Sequence, residues 1–128
     1  MLFVGLVLAA LAAAFHVFIF VLESLRWTAP QTRRIFGVRS EADALTMRQL
    51  AFNQGFYNLF LAVAVIIGIV LVAVGQHTAG VTLVLTGVGM MLAAALVLVL
   101  SDRRMLRAAA MQGTLPLLAV VATAISVG

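Results

Sequence analysis

His16 and Glu23 are the two side chains best suited to acid–base chemistry, and they lie seven positions apart in one long apolar stretch. On an α-helix that separation puts both on one face, about 10 Å apart along the axis. The face reads Gly5, Ala9, Ala12, His16, Ile19, Glu23, in alternating steps of four and three. Small residues at such steps let a second helix approach closely. A second polar group is Asn53-Gln54-Gly55-Phe56-Tyr57-Asn58, in which Gln54 and Asn58 stand one helical turn apart. A third, Gln112, precedes Pro116 by one turn, and proline there leaves the Gln112 carbonyl without its helical partner. Amides can donate to a carboxylate without neutralising it, which leaves it able to bind a cation or accept a proton. His16, Glu23, Gln54, Tyr57, Asn58 and Gln112 are therefore the candidate ligand-binding residues. Glu23 with His16 is the candidate pair for proton transfer on an apolar substrate, as in an isomerisation.

Other chemistries lack their residues. Without cysteine there is no disulfide, thiolate site or cysteine nucleophile. Neither H-E-x-x-H, a phosphate-binding loop nor G-x-S-x-G occurs, and His16 has no second ligand at metal spacing on its helix. No metal and no cofactor is expected. Each candidate also has a packing role open to it. Glu23 can pair with a neighbouring arginine, His16 can bond a backbone carbonyl, and the amides can bond between helices.

The elements that carry these groups follow from composition. Of the 128 residues, 65% are hydrophobic and 9% charged, against about 25% charged in a soluble domain. This excludes an ordinary soluble domain, a disordered tail and a nucleic-acid binder. Four stretches approach the roughly 20 apolar residues that cross a bilayer: about 2–25, 50–74, 81–100 and 108–127. In lipid each must be a helix, because its backbone groups have no water to bond. The first reads as an uncleaved span, since no basic stretch precedes it and the apolar run continues past Ala14. The expected architecture is one transmembrane domain over residues 1–128, an all-α antiparallel four-helix bundle. Its partners are the lipid bilayer, a small amphipathic ligand and, for any transport role, a second copy of the chain.

All eight basic residues are arginine, and all lie in two connections. Five fall in 26–48 and three in 103–107, whereas the turn 75–80 and both termini have none. The positive-inside rule puts these connections in the cytoplasm and both termini outside. Trp27 and Tyr57 fit an aromatic belt at that interface. Within the loop 26–48, Thr28 and Pro30 predict a short helix that Gly37 stops. Ser40 with Asp43 predicts a capped helix from Glu41 to Val74, about 50 Å long and projecting beyond the bilayer.

A shift of 58 positions aligns Ala51 with Ala109, Gln54-Gly55 with Gln112-Gly113, and Leu59 with Leu117. This suggests two repeated helical hairpins, whose interface is where binding sites collect in such folds. The run His16-x6-Glu23 with Trp27, then Asn53-Gln54-Gly55-x-Tyr57-Asn58, then Gln112-Gly113-x-x-Pro116, resembles a family of small bacterial four-helix membrane proteins. That family is catalogued as domain of unknown function 1304. The resemblance covers essentially the whole chain and implies a multi-pass protein of the bacterial inner membrane, with no activity attached. The expected function is binding or transport of a small amphipathic or lipidic molecule in a polar pocket at the cytoplasmic half. An accessory subunit or an acid–base enzyme using Glu23 and His16 are the alternatives. The expected site has Glu23 within reach of Gln54 and Gln112, and pairing with Arg26, Arg33 or Arg103 would defeat it.

Overall fold

A computed structural model describes residues 1–128. Five α-helices form in chain order: α1 Leu2–Phe20, α2 Pro30–Phe36, α3 Glu41–Ala73, α4 His77–Ser101 and α5 Leu106–Val127. A π-helical turn, Val21–Leu25, extends α1, and a 3-10 turn, Arg103–Met105, leads into α5. With those extensions, four of the helices are long and apolar enough to cross a membrane. They form a closed antiparallel ring in which each packs on its chain neighbours and α1 meets α5. The fold is an all-α membrane four-helix bundle.

Lipid solvates apolar side chains as well as a protein core does, so close packing of small residues decides which faces turn inward. The centre accordingly consists of Ala9, Ala12, Ala13, Ala62 and Ala119 with Val65, Val84, Val88 and Met91. Large side chains such as Phe3, Leu11, Phe60, Val70, Leu100 and Ile125 point outward. A glycine sits at each of the four seams. Gly5 meets Thr123 between α1 and α5, Gly55 meets Ser24 between α1 and α3, and Gly113 meets Ala95 between α4 and α5. Between α3 and α4, a side chain on Gly68 would lie 2.8 Å from the Gly80 carbonyl oxygen.

The turns follow from local chemistry. Gly37 (φ 69°) and Gly75 (φ 92°) take the left-handed conformation that glycine adopts without strain. Each closes a helix with a paired bond pattern, Val38 N–H to Arg33 O and Gln76 N–H to Leu71 O. Because Gly75 turns the chain so tightly, α4 begins at His77, four residues before the expected span. The Ser40 hydroxyl accepts from the Asp43 N–H and starts α3 at Glu41. Ala29, and not Thr28, caps α2. The residue before a proline is held extended, and Ala29 has ψ 142°.

Trp27 corrects a second expectation. It is buried, and its Nε1–H donates to the Ala44 carbonyl at 2.9 Å, so it is no interface-belt residue. Its ring packs on Phe36 at 5.3 Å, and Val38 and Ala51 complete the cluster. The loop is thereby folded down on the first turns of α3. Phe36 at the end of α2 is held beside α3 through Trp27, while Arg34 and Ile35 stand near α1 and α5.

Candidate functional site

Glu23 is carried by the π-turn. There the chain takes one extra residue per turn, closing with Arg26 N–H to Val21 O at 2.9 Å. Such turns are rare and frequently mark functional positions. Glu23 is 8% exposed, and its Oε1 accepts from Asn58 Nδ2 at 2.7 Å. The next residue, Ser24, donates from Oγ to the Phe52 carbonyl at 2.8 Å. These two bonds cross the α1–α3 seam on either side of Gly55, from adjacent residues of the π-turn to positions six apart on α3. The single ion pair of the protein joins Asp102 to Arg104, so Glu23 is balanced by an amide and by no arginine.

The remaining candidates separate. His16 is 3% exposed and its Nδ1 bonds the Ala12 carbonyl of its own helix at 2.9 Å. No hydrogen bond joins it to Glu23. Gln54 is exposed and its side chain does not reach Glu23; only its backbone carbonyl takes part, accepting from Asn58 Nδ2 at 3.2 Å. The inward positions on α3 are Ala51, Gly55, Ala62 and Val65, because the close approach to Ser24 admits only a glycine. Gln54 is therefore turned to the flank and Tyr57, 64% exposed, to the outside. Gln112 is displaced in the same way by Gly113, which packs on Ala95. It is half-buried and faces the α1–α5 side, away from Asn58. The expected Glu23–Gln54–Gln112 cluster is thus replaced by a Glu23–Asn58 pair on one seam and a lone Gln112 on another. No three His, Asp or Glu side chains gather where a metal ion could be held.

Gln112 instead lines a groove of about 520 Å³ at the arginine-bearing end of the bundle. One wall is apolar: Phe15, Phe18 and Ile19 of α1 and Leu22 of the π-turn face Ala108 and Met111 of α5. Arg34 on α2, Arg104 on the 3-10 turn and Arg107 on α5 stand around it, with Ile35, Phe36 and Gly37 lining it beside Arg34. Asp102 caps the 3-10 turn and holds Arg104 through two side-chain bonds of 3.1 Å. Those bonds hold the Asp102 carboxyl below its ordinary value. Sequence reasoning took these arginines as topology signals alone. Arg34 joins the other two because α2 folds back, where its Phe36 packs on Trp27.

Fold and site define a class: a small four-helix membrane protein with one buried, amide-bound carboxylate and one arginine-rimmed apolar groove. Within that class the chain belongs to the family described as protein of unknown function (DUF1304), whose model matches residues 10–124. Comparison with curated proteins and with solved structures finds no match.

Proposed function

We propose that this protein binds one amphipathic, lipid-like molecule in the groove between α1, α2 and α5, in the bacterial inner membrane. The groove itself carries the proposal. Ligand sites are mostly apolar concavities of about 300–1,000 Å³ with a few polar groups that fix orientation, and this one, at about 520 Å³, has that make-up. An apolar chain would lie against Phe18, Ile19, Leu22 and Met111, with its polar end toward the arginines and Gln112 beside it. By the positive-inside rule the groove opens at the cytoplasmic half. Binding is favoured over passage because Val65, Val84, Val88 and Met91 fill the bundle centre, each at most 1% exposed. The acid–base alternative has less support, since Glu23 and His16 are each bonded elsewhere.

The test purifies the protein in mild detergent and counts retained lipid by native mass spectrometry. Ala108 lines the groove, whereas Ala110 is exposed on the same helix and does not. Wild type and Ala110→Phe should each retain one amphiphile, and Ala108→Phe should lose it while keeping its helical circular dichroism. Equal retention by a folded Ala108→Phe, or none by wild type, overturns the proposal in favour of an accessory or structural role.

A further inference from the structure

We infer that the groove selects a lipid with an anionic headgroup, read by Arg34 and Arg107 from two different helices, with Arg104 held in reserve by Asp102. This rests on the groove being a lipid site and adds the chemical class of what occupies it.

The charge balance around the mouth motivates it. Three guanidinium groups from three elements line one cavity, and no carboxylate lines it with them. Asp102 stands beside the mouth as the partner of Arg104, and the chain's other three acids lie elsewhere. Glu23 faces Asn58 across the α1–α3 seam, while Glu41 and Asp43 sit in the first turn of α3. Arg34 and Arg107 have no ion-pair partner, so their donors are free for an incoming group. Guanidinium forks match phosphate and carboxylate oxygens with paired, charge-assisted hydrogen bonds. A zwitterionic headgroup would bring its own cation against the same arginines and lose much of that attraction.

Arg104 is built differently. Its Nε and Nη2 donate to the two oxygens of Asp102, and its backbone N–H donates to the same carboxylate. Asp102 is therefore an internal stand-in for the headgroup, occupying the fork that a phosphate would take. An anionic lipid binds first to Arg34 and Arg107 and competes with Asp102 for the third arginine. Asp102 is the headgroup's competitor for Arg104 in this scheme, so neutralising its carboxylate should strengthen binding.

The experiment offers detergent-purified protein an equimolar mixture of phosphatidylglycerol and phosphatidylcholine with the same acyl chains. Occupancy is read by native mass spectrometry. Wild type should prefer phosphatidylglycerol by about ten-fold or more, as two arginines near a headgroup suggest. The preference should shrink in half-molar salt, which screens exposed charges. In R34Q/R107Q, phosphatidylglycerol occupancy should fall to that of phosphatidylcholine, and in D102N it should rise above wild type. Inorganic phosphate at millimolar concentration should displace neither lipid, since it lacks the chain. Equal occupancy of both lipids on wild type overturns the inference and leaves the lipid site standing. Absence of both overturns the site as well. Displacement by phosphate, or an unchanged preference in folded R34Q/R107Q, assigns the selectivity to something other than a lipid headgroup held by these arginines.

Discussion

The Glu23 carboxylate and the Asn58 amide meet at 2.7 Å across the α1–α3 seam, 35 residues apart in sequence. A buried acceptor left without its donor loses its full desolvation compensation, about 1–3 kcal/mol and more for a charged group. Replacing both partners by apolar groups is nearly neutral by the same reasoning. Asn58→Leu should therefore destabilise the bundle more than Glu23→Leu/Asn58→Leu does. Glu23→Gln, which keeps an acceptor for Asn58, should change stability least. Unfolding in mixed detergent, followed by circular dichroism, ranks the three; a double variant weaker than Asn58→Leu alone would contradict the pairing.

Glycine should matter by seam and not by number. A side chain at Gly55 would meet the Ser24 hydroxyl and lie 3.0 Å from the Ser24 backbone nitrogen, which cannot swing aside. Gly55→Ala should cost about 1–3 kcal/mol, the usual penalty of overpacking. Gly89 has open space around its position on α4. There alanine should be neutral or stabilise by up to about 1 kcal/mol through helix propensity. Comparing the two variants in the same unfolding assay checks the contrast.

The 3-10 turn before α5 should be acid-sensitive. Arg104 holds the folded Asp102 carboxyl below its ordinary value of 3.8, chiefly by their side-chain hydrogen bonds. A depressed folded value means that the contribution is complete above 3.8 and is lost as pH falls through the lower folded value. Limited proteolysis after Arg103 and Arg104, with an acid-stable protease of that specificity, should accelerate only in that acid window. In Asp102→Asn the rate should be high at every pH, and a wild-type rate flat with pH would count against the pair.

How much of this was legible in the sequence depends on which force decided each feature. Four helices follow from four apolar stretches, because lipid admits little else. The inward face of α1 was readable since Gly5, Ala9, Ala12, His16, Ile19 and Glu23 keep a strict helical step, and all six are buried. The face of α3 was readable at Asn58, which reaches Glu23, but was misread at Gln54, and that of α5 at Gln112, where amides were given priority over glycines. A side chain in place of Gly55 or Gly113 would meet Ser24 or Ala95 at the seam, so these glycines turn inward and the neighbouring Gln54 and Gln112 are carried to the flank. The π-turn left no signal, because one extra residue at the end of a helix leaves the apolar pattern before it unchanged. The groove was hidden for another reason: Arg104 and Arg107 are local neighbours, but Arg34 joins them only through the tertiary placement of α2.

Orientation is the remaining prediction, and it rests on charge asymmetry that the antiparallel ring makes geometric. The connection from α1 to α3 and that from α4 to α5 lie at the same end, because each spanning helix reverses its predecessor. All eight arginines lie in or beside these two connections, and none lies in the α3–α4 turn or at either terminus. Arginines near span ends resist translocation, which sets orientation even where acidic residues accompany them. Alkaline phosphatase fused after Gly128 should be active, since it folds only outside the cytoplasm, and green fluorescent protein at the same place should be dark. Moving two arginines into the α3–α4 turn, as Gln76→Arg/Thr78→Arg, should weaken the asymmetry from eight against none to eight against two and lower phosphatase activity in part. A fluorescent fusion after Gly128 in the unaltered chain would reverse the orientation, and with it the assignment of the arginine-rimmed groove to the cytoplasmic leaflet.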